Sequence, residues 1–371
     1  MEDNRLVYYV ALGMVQGVGS VTARKLIEHT GDIEAVFREP VCRLRRIHGI
    51  GELLAPRIRD RNLLPRAARE VDYMLGHNIR ALTYLDDEYP ARLNQCPDAP
   101  IVLYMKGQLD VNPARILSVV GTRDPSDTGL QLCRRFIKEL AEGHRDAVVV
   151  SGLAYGIDIC AHQSAMKSSL KTLAVLGHGF RHMYPALHRP AARRIEKEGA
   201  LLTEFNSITR PERNNFIRRN RIIAGISDAT LVVQSGIKGG ALTTARMAGG
   251  YNREVFAVPG RIGDRHFAGC NNLIKTHRAH LAESSADIEY ILGWERKEEH
   301  KKQIQYSLVN ELNQDEQILI GILSDRQVHS VDSLCTLTGM AVSKVSSLLL
   351  KLEFTGMVYC LPGNSYRLCV Q

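Results

Sequence analysis

Between residues 115 and 260 the chain repeats one pattern six times: a short apolar, β-branched run, most often closed by a glycine-bearing loop. The runs are ILSVVGTR, AVVVSGLAYG, TLAVLGHG, ALLTEF, TLVVQSG and EVFAVPG. Most are separated by a stretch long enough for a helix. Runs that are apolar at consecutive positions are buried on both faces, so the pattern predicts an α/β domain with a doubly wound parallel sheet between helical layers. In such a sheet the carboxyl ends of the strands line the ligand crevice. Gly121, Gly152, Gly177, Gly179, Gly236, Gly239 and Gly240 are therefore expected on one rim.

Residues 1–75 read as short helices interrupted by Gly17-Val18-Gly19 and Gly49-Ile50-Gly51, each followed by a helix, in the manner of a helix-hairpin-helix domain. The backbone N–H groups of such turns suit a phosphate, although a tight helical turn needs glycine in any case. The segment ALTYLDDEYPARLNQCPDAPIVLYMKG is punctuated by proline and reads as a connector with short strands, placed in a second domain over 76–292. Residues 293–312 are charged and suit a linker. From 313 to 371, three short amphipathic helices and two alternating strands around Pro362-Gly363-Asn364 outline a winged helix.

Charge narrows the partner. The 371 residues carry 48 basic and 40 acidic side chains, a formal net charge of +8, which permits a polyanion without requiring one. Between Gly177 and Arg221 stand ten basic residues against four acidic ones, a net +6 beside the glycine rim. The winged-helix segment nets −1, less positive than a groove-reading helix normally requires, so protein contact or weak DNA contact is expected there. Within FIRRNR, Phe216 is either a core residue or a ring offered to a base, with Arg218, Arg219, Asn220 and Arg221 around it. Arg123, with Thr122 and Gly121, follows the first strand of the sheet, and Lys238 projects from a second loop before Gly239 and Gly240. Both places suit an anion.

Other chemistries find little support. VVGTRDPSDTG lacks the dinucleotide glycine fingerprint, and the chain has no phosphate-binding loop of the G-x-x-x-x-G-K-[ST] kind, so no cofactor is expected. Ser151 lacks the G-x-S-x-G setting of a nucleophile, and Asp158 and His162 are expected to brace a loop. The eight cysteines include no C-x-x-C pair and read as reduced thiols. Cys160 with His162, and His178 with His182, lack further ligands for a metal. The N-terminus has no cationic leader and no segment reaches the length of a membrane span, so a cytoplasmic protein with no membrane contact is expected.

The blocks EYPARLNQCPDAPIVLYMKG, VVGTR, VSGLAYGIDICAHQSAM, LAVLGHGFRHMYP, FIRRNRIIAGIS, KGGALTTARMA, REVFAVPG and GCNNLI, in this order, resemble the DNA-processing protein A (DprA/Smf) family. The resemblance implies a Rossmann-like domain that binds single-stranded DNA, protects incoming DNA, forms a homodimer and helps load RecA recombinase during natural transformation, with single-strand binding protein as a further partner and no catalysis. By motif it implies that Arg123, Phe216, Arg219, Asn220, Arg221 and Lys238 contact DNA or form its pocket. Two departures stand out: Ile217 replaces the family's usual proline, and Gly239-Gly240-Ala241 lacks a hydroxyl usual in the second loop. The alternative is a nucleotide-binding enzyme resembling the LOG-type phosphoribohydrolases. Those need a carboxylate on the helix after the glycine loop, where ALTTARMAGG has none.

Overall fold

A computed structural model describes residues 3–294, 313–324, 328–354, 357–361 and 365–368. The chain divides into two compact units, Met1–Lys297 and Glu298–Gln371.

The first unit is built on a nine-stranded sheet. Its strands in chain order are β1 (Ile79–Thr83), β2 (Val102–Gly107), β3 (Ile116–Gly121), β4 (Val148–Ser151), β5 (Lys171–Val175), β6 (Ala200–Thr203), β7 (Ala229–Gln234), β8 (Glu254–Ala257) and β9 (His280–Leu281). Their order across the sheet is β1-β2-β6-β5-β4-β3-β7-β8-β9. Strands β3 to β9 pair in parallel, so the six apolar runs become the six longer parallel strands. Neighbouring residues of β3 show the double burial: Ile116 and Val120 join one apolar cluster, Leu117 and Val119 the other. β4 lies on one side of β3 and β7 on the other, which places the switch of direction, and hence the crevice, at the end of β3.

The proline-punctuated segment does more than connect. β1 and β2 form an antiparallel pair, and β2 pairs antiparallel with β6, extending the sheet. Residues 3–76 form six helices around a core that includes Leu12, Leu26, Ile33, Leu44 and Ile58, and this core runs on into Val102 and Tyr104 of β2. The helical region thus packs on the sheet it precedes. Gly17 and Gly49 both adopt the left-handed backbone region, with φ of +92° and +90°.

The second unit has helices Gln314–Leu323, Val331–Thr338 and Val342–Phe354, and a small sheet of β10 (His329–Ser330), β11 (Val358–Leu361) and β12 (Ser365–Leu368) in the order β10-β12-β11. This is a winged helix. The expected Pro362-Gly363-Asn364 turn and most of the expected linker lie outside the described residues. Among the described residues, no single helix is long and apolar enough to cross a membrane.

Candidate nucleic-acid interface

Parallel pairing carries the loops after β3, β4, β5 and β7 to one edge, so the seven glycines of the expected rim share it. The turn after β3 is clamped to the end of β7. Thr122 N donates to Gln234 O at 2.8 Å, and the Gln234 side chain accepts from Ser126 N and donates to Ser126 Oγ. Ser126 in turn caps the helix Asp127–Gly143 by accepting from Gly129 N. Arg123, on the outside of this turn, is exposed and has no acidic partner among the described residues.

Phe216 lies on the helix Arg213–Ile226 and is half-buried. One side of its ring packs so closely on Gly177 that a Cβ there would stand 2.6 Å from the ring. The Arg123 guanidinium is 5.9 Å from the ring centroid, that of Arg219 is 6.0 Å away, and the exposed Tyr184 ring lies at 5.4 Å. The two readings of Phe216 therefore meet: the ring is seated on the backbone after β5 and stays partly exposed beside two cations and a second aromatic.

Arg219 is only 3% exposed. Its Nη1 donates to Gly152 O at 2.6 Å and to Val175 O, bracing the ends of β4 and β5. Burial lowers its pKa to about 10, opposed by Asp158 and reinforced by Arg123. It stays charged at neutral pH. Asp158 accepts from Ala154 N, so it braces the loop after β4 as expected, and burial raises its pKa. Gly152 leaves room for the Arg219 guanidinium and faces inward for that reason. Asn220 accepts from Arg219 Nε at 3.2 Å.

The remaining arginines of FIRRNR separate from the ring. Arg221 is 8% exposed, pairs with Glu204 at 2.5 Å and donates to Asp98 O. Its place is beneath the helix, away from the surface expected for it. Arg218 is exposed, 3.3 Å from the same Glu204 carboxylate and over the Phe205 ring. Lys238 is exposed on the loop after β7, without an acidic partner among the described residues. Gly239 then packs on Ser235, and Gly240 opens the helix Gly240–Gly250 with open space around it.

The histidines near the rim belong to the framework. His162 is fully buried with Nδ1 2.7 Å from Thr172 Oγ1, and burial, with Arg219 and His188 adding to it, lowers its pKa to about 3. His178 Nε2 accepts from Tyr184 N, and burial lowers its pKa as well. Among the described residues no group of three His, Cys, Asp or Glu side chains is placed to hold a metal.

Sequence reasoning missed Tyr184, for which the sequence offers no signal, and the burial of Arg219, for which it does. Arg219 stands three and four residues before Ile222 and Ile223, on the buried stripe of its helix.

A family model described as DNA recombination-mediator protein A matches residues 80–292, and one for the winged helix of these proteins matches 307–364. A protein Smf of Synechocystis is 33% identical over 99% of this chain and 100% of its own length. The structure of DNA processing protein A from Streptococcus pneumoniae superposes with a TM-score of 0.63 at 30% identity, covering 77% of this chain and 97% of the other. That of the Helicobacter pylori protein, described for its single-stranded DNA binding mode, gives 0.52 at 26% identity, over 58% of this chain and 95% of the other.

Proposed function

The chain belongs to the DprA/Smf family of DNA-processing proteins, and from that premise we propose that its glycine rim binds single-stranded DNA without catalysis. One observation carries the proposal: the exposed guanidinium of Arg123, without an acidic partner among the described residues, stands 5.9 Å from the half-exposed ring of Phe216 at the crevice end of the sheet. A phosphate on Arg123 places the adjoining base within reach of the half-exposed ring, and stacking on an aromatic face accepts any base. Arg219 holds the ring's surroundings rigid, because its guanidinium ties β4 to β5. Lys238 supplies a second cation on the neighbouring loop.

Absence of an acid on the helix Gly240–Gly250 supports a binding role over hydrolysis of a glycosidic bond. The near-neutral winged helix supports protein contact. Its described cations are already engaged: Lys344 with Asp315, Lys351 with Glu316, and Arg367 over the Tyr359 ring. In this reading the protein works in the cytoplasm as a homodimer, protects the strand and helps load RecA recombinase on it, with single-strand binding protein as a further partner. In the same reading the chain comprises a helical domain over 1–75, a Rossmann-like domain over 76–292, a linker over 293–312 and a winged helix over 313–371.

Filter binding of a labelled oligonucleotide tests the rim. Arg123→Glu should abolish retention while circular dichroism stays that of the wild type, and retained affinity in a folded variant contradicts the assignment. RecA strand exchange on coated single strands tests the partner: a stimulation that requires this protein supports it, and none excludes it.

A further inference from the structure

The N-terminal helical region carries a charge density that the rim does not account for. Residues 43–69 hold eight arginines against Glu52 and Asp60, a net +6 within 27 residues, and all eight arginines are exposed. Two of them stand on the helix Leu63–Gly76, and that helix is tied directly to the rim. Glu70 is buried and accepts from Ser207 N at 2.5 Å and Ser207 Oγ at 2.7 Å, on the loop after β6. Ser207 Oγ accepts from Arg181 Nε at 3.2 Å. The Arg181 guanidinium lies 4.3 Å from the Tyr73 ring centroid, and the His77 ring is stacked 4.0 Å from the same centroid.

Helical spacing decides which way the free arginines face. Arg66, Glu70, Tyr73 and His77 follow one another at intervals of four, three and four residues, which puts them on one stripe, with Arg69 on its border. The stripe that carries Arg66 is thus the one held against Arg181 and the loop after β6. Neither Arg66 nor Arg69 has an acidic partner among the described residues. The helix's remaining acid besides the occupied Glu70 is Asp72, about a third of a turn away from Arg66. Arg181 stands on the loop after β5 whose Gly177 and Tyr184 touch Phe216, and through Tyr73 it adjoins the stripe that carries Arg66, with Arg69 on its border.

We propose that a single strand leaving the rim at Phe216 passes Arg181 and runs onto the helix Leu63–Gly76, where Arg66 and Arg69 hold its phosphates. This rests on the reading of the rim as a single-strand site and extends it to a second part of the chain. The buried Glu70–Ser207 bonds and the Arg181–Tyr73–His77 stack keep the two parts in fixed register, so the path is built before the strand arrives. A strand confined to the rim does not reach the helix; a longer one does.

Two oligonucleotides of mixed sequence separate the parts, one of about 6 nucleotides and one of about 20, lengths chosen to fall near and beyond a single-domain footprint. With full-length Arg66→Glu/Arg69→Glu, the short strand should bind as to wild type, and the long strand should bind several-fold more weakly. Arg66→Gln/Arg69→Gln, which removes charge without reversing it, should flatten the long-strand salt slope by about 0.7 per arginine. An unchanged long-strand affinity and slope in the folded variants overturns the proposal. If wild type fails to bind the short strand, or if Arg123→Glu leaves short-strand binding intact, the rim reading itself has failed and this extension falls with it.

Discussion

Gly152 has no side chain because the guanidinium of Arg219 occupies the space where one would be: a Cβ at Gly152 would overlap Nη1, Cζ and Nη2 of that residue. The arginine reaches this place from the helix Arg213–Ile226 and donates to the carbonyls of Gly152 and Val175. A cation that the sequence offers to solvent is thereby spent on holding two strand ends together, and the Phe216 ring is positioned by the same helix.

Gly152→Ala should therefore destabilise the protein by about 1 to 3 kcal/mol, the usual cost of forcing extra volume into a filled site. Urea unfolding measures it. A midpoint within error of wild type means that Arg219 can leave its pocket freely, which its buried hydrogen bonds contradict.

Arg221 and Lys238 should behave oppositely. Arg221→Ala leaves the buried Glu204 carboxylate with only the exposed Arg218 as a charged partner and should cost stability, up to the about 3 to 5 kcal/mol of breaking a buried pair. Lys238→Ala should leave the unfolding midpoint unchanged and flatten the salt slope of single-strand binding by about 0.7. Equal effects of the two variants on both measurements would refute the assignment of one to the framework and the other to the surface.

The parallel sheet was legible because its runs are apolar at consecutive positions, and the rim followed because parallel strands end on one edge. FIRRNR was harder. Its three arginines look alike in sequence, yet helical phase sends Arg218 outward, Arg219 under the crevice and Arg221 to Glu204; only the spacing to Ile222 and Ile223 hints at the second. Short strands were expected in the proline-punctuated segment, but the antiparallel pairing of β2 with β6 depends on contacts far apart in sequence that no local pattern encodes. Tyr184 reaches Phe216 through a loop of its own, a juxtaposition that only the fold creates.

Acid should weaken the fold through His162. Its pKa is near 3 in the folded protein against about 6.5 when unfolded, so the unfolded chain binds the extra proton between those values. The stability it contributes is present above pH 6.5 and declines as pH falls toward 3, by up to about 1.4 kcal/mol per pH unit. His162→Gln, which cannot titrate, should show a shallower loss of urea midpoint from pH 6.5 to 4.5. A slope identical to wild type removes His162 as the cause.

A chain ending at Trp294 should fold and keep most of its affinity for single strands, because the rim lies wholly in the first unit and the described cations of the second are engaged within it. Loss of most binding by such a chain, with its circular dichroism intact, would transfer the main contact to the winged helix.

If Arg123, Phe216 and Lys238 hold a polynucleotide, a competition titration on the wild-type protein will show it. With a labelled oligonucleotide bound, unlabelled strands of any sequence should displace it, and a single mononucleotide should fail at concentrations far above them. The displacement should weaken steeply with salt, and Phe216→Ala should cost about 1 to 3 kcal/mol, the range for a stacked base, with the salt slope nearly unchanged. Competition by a mononucleotide as effective as by an oligomer, with little dependence on salt, would mean a nucleotide pocket in place of a strand site.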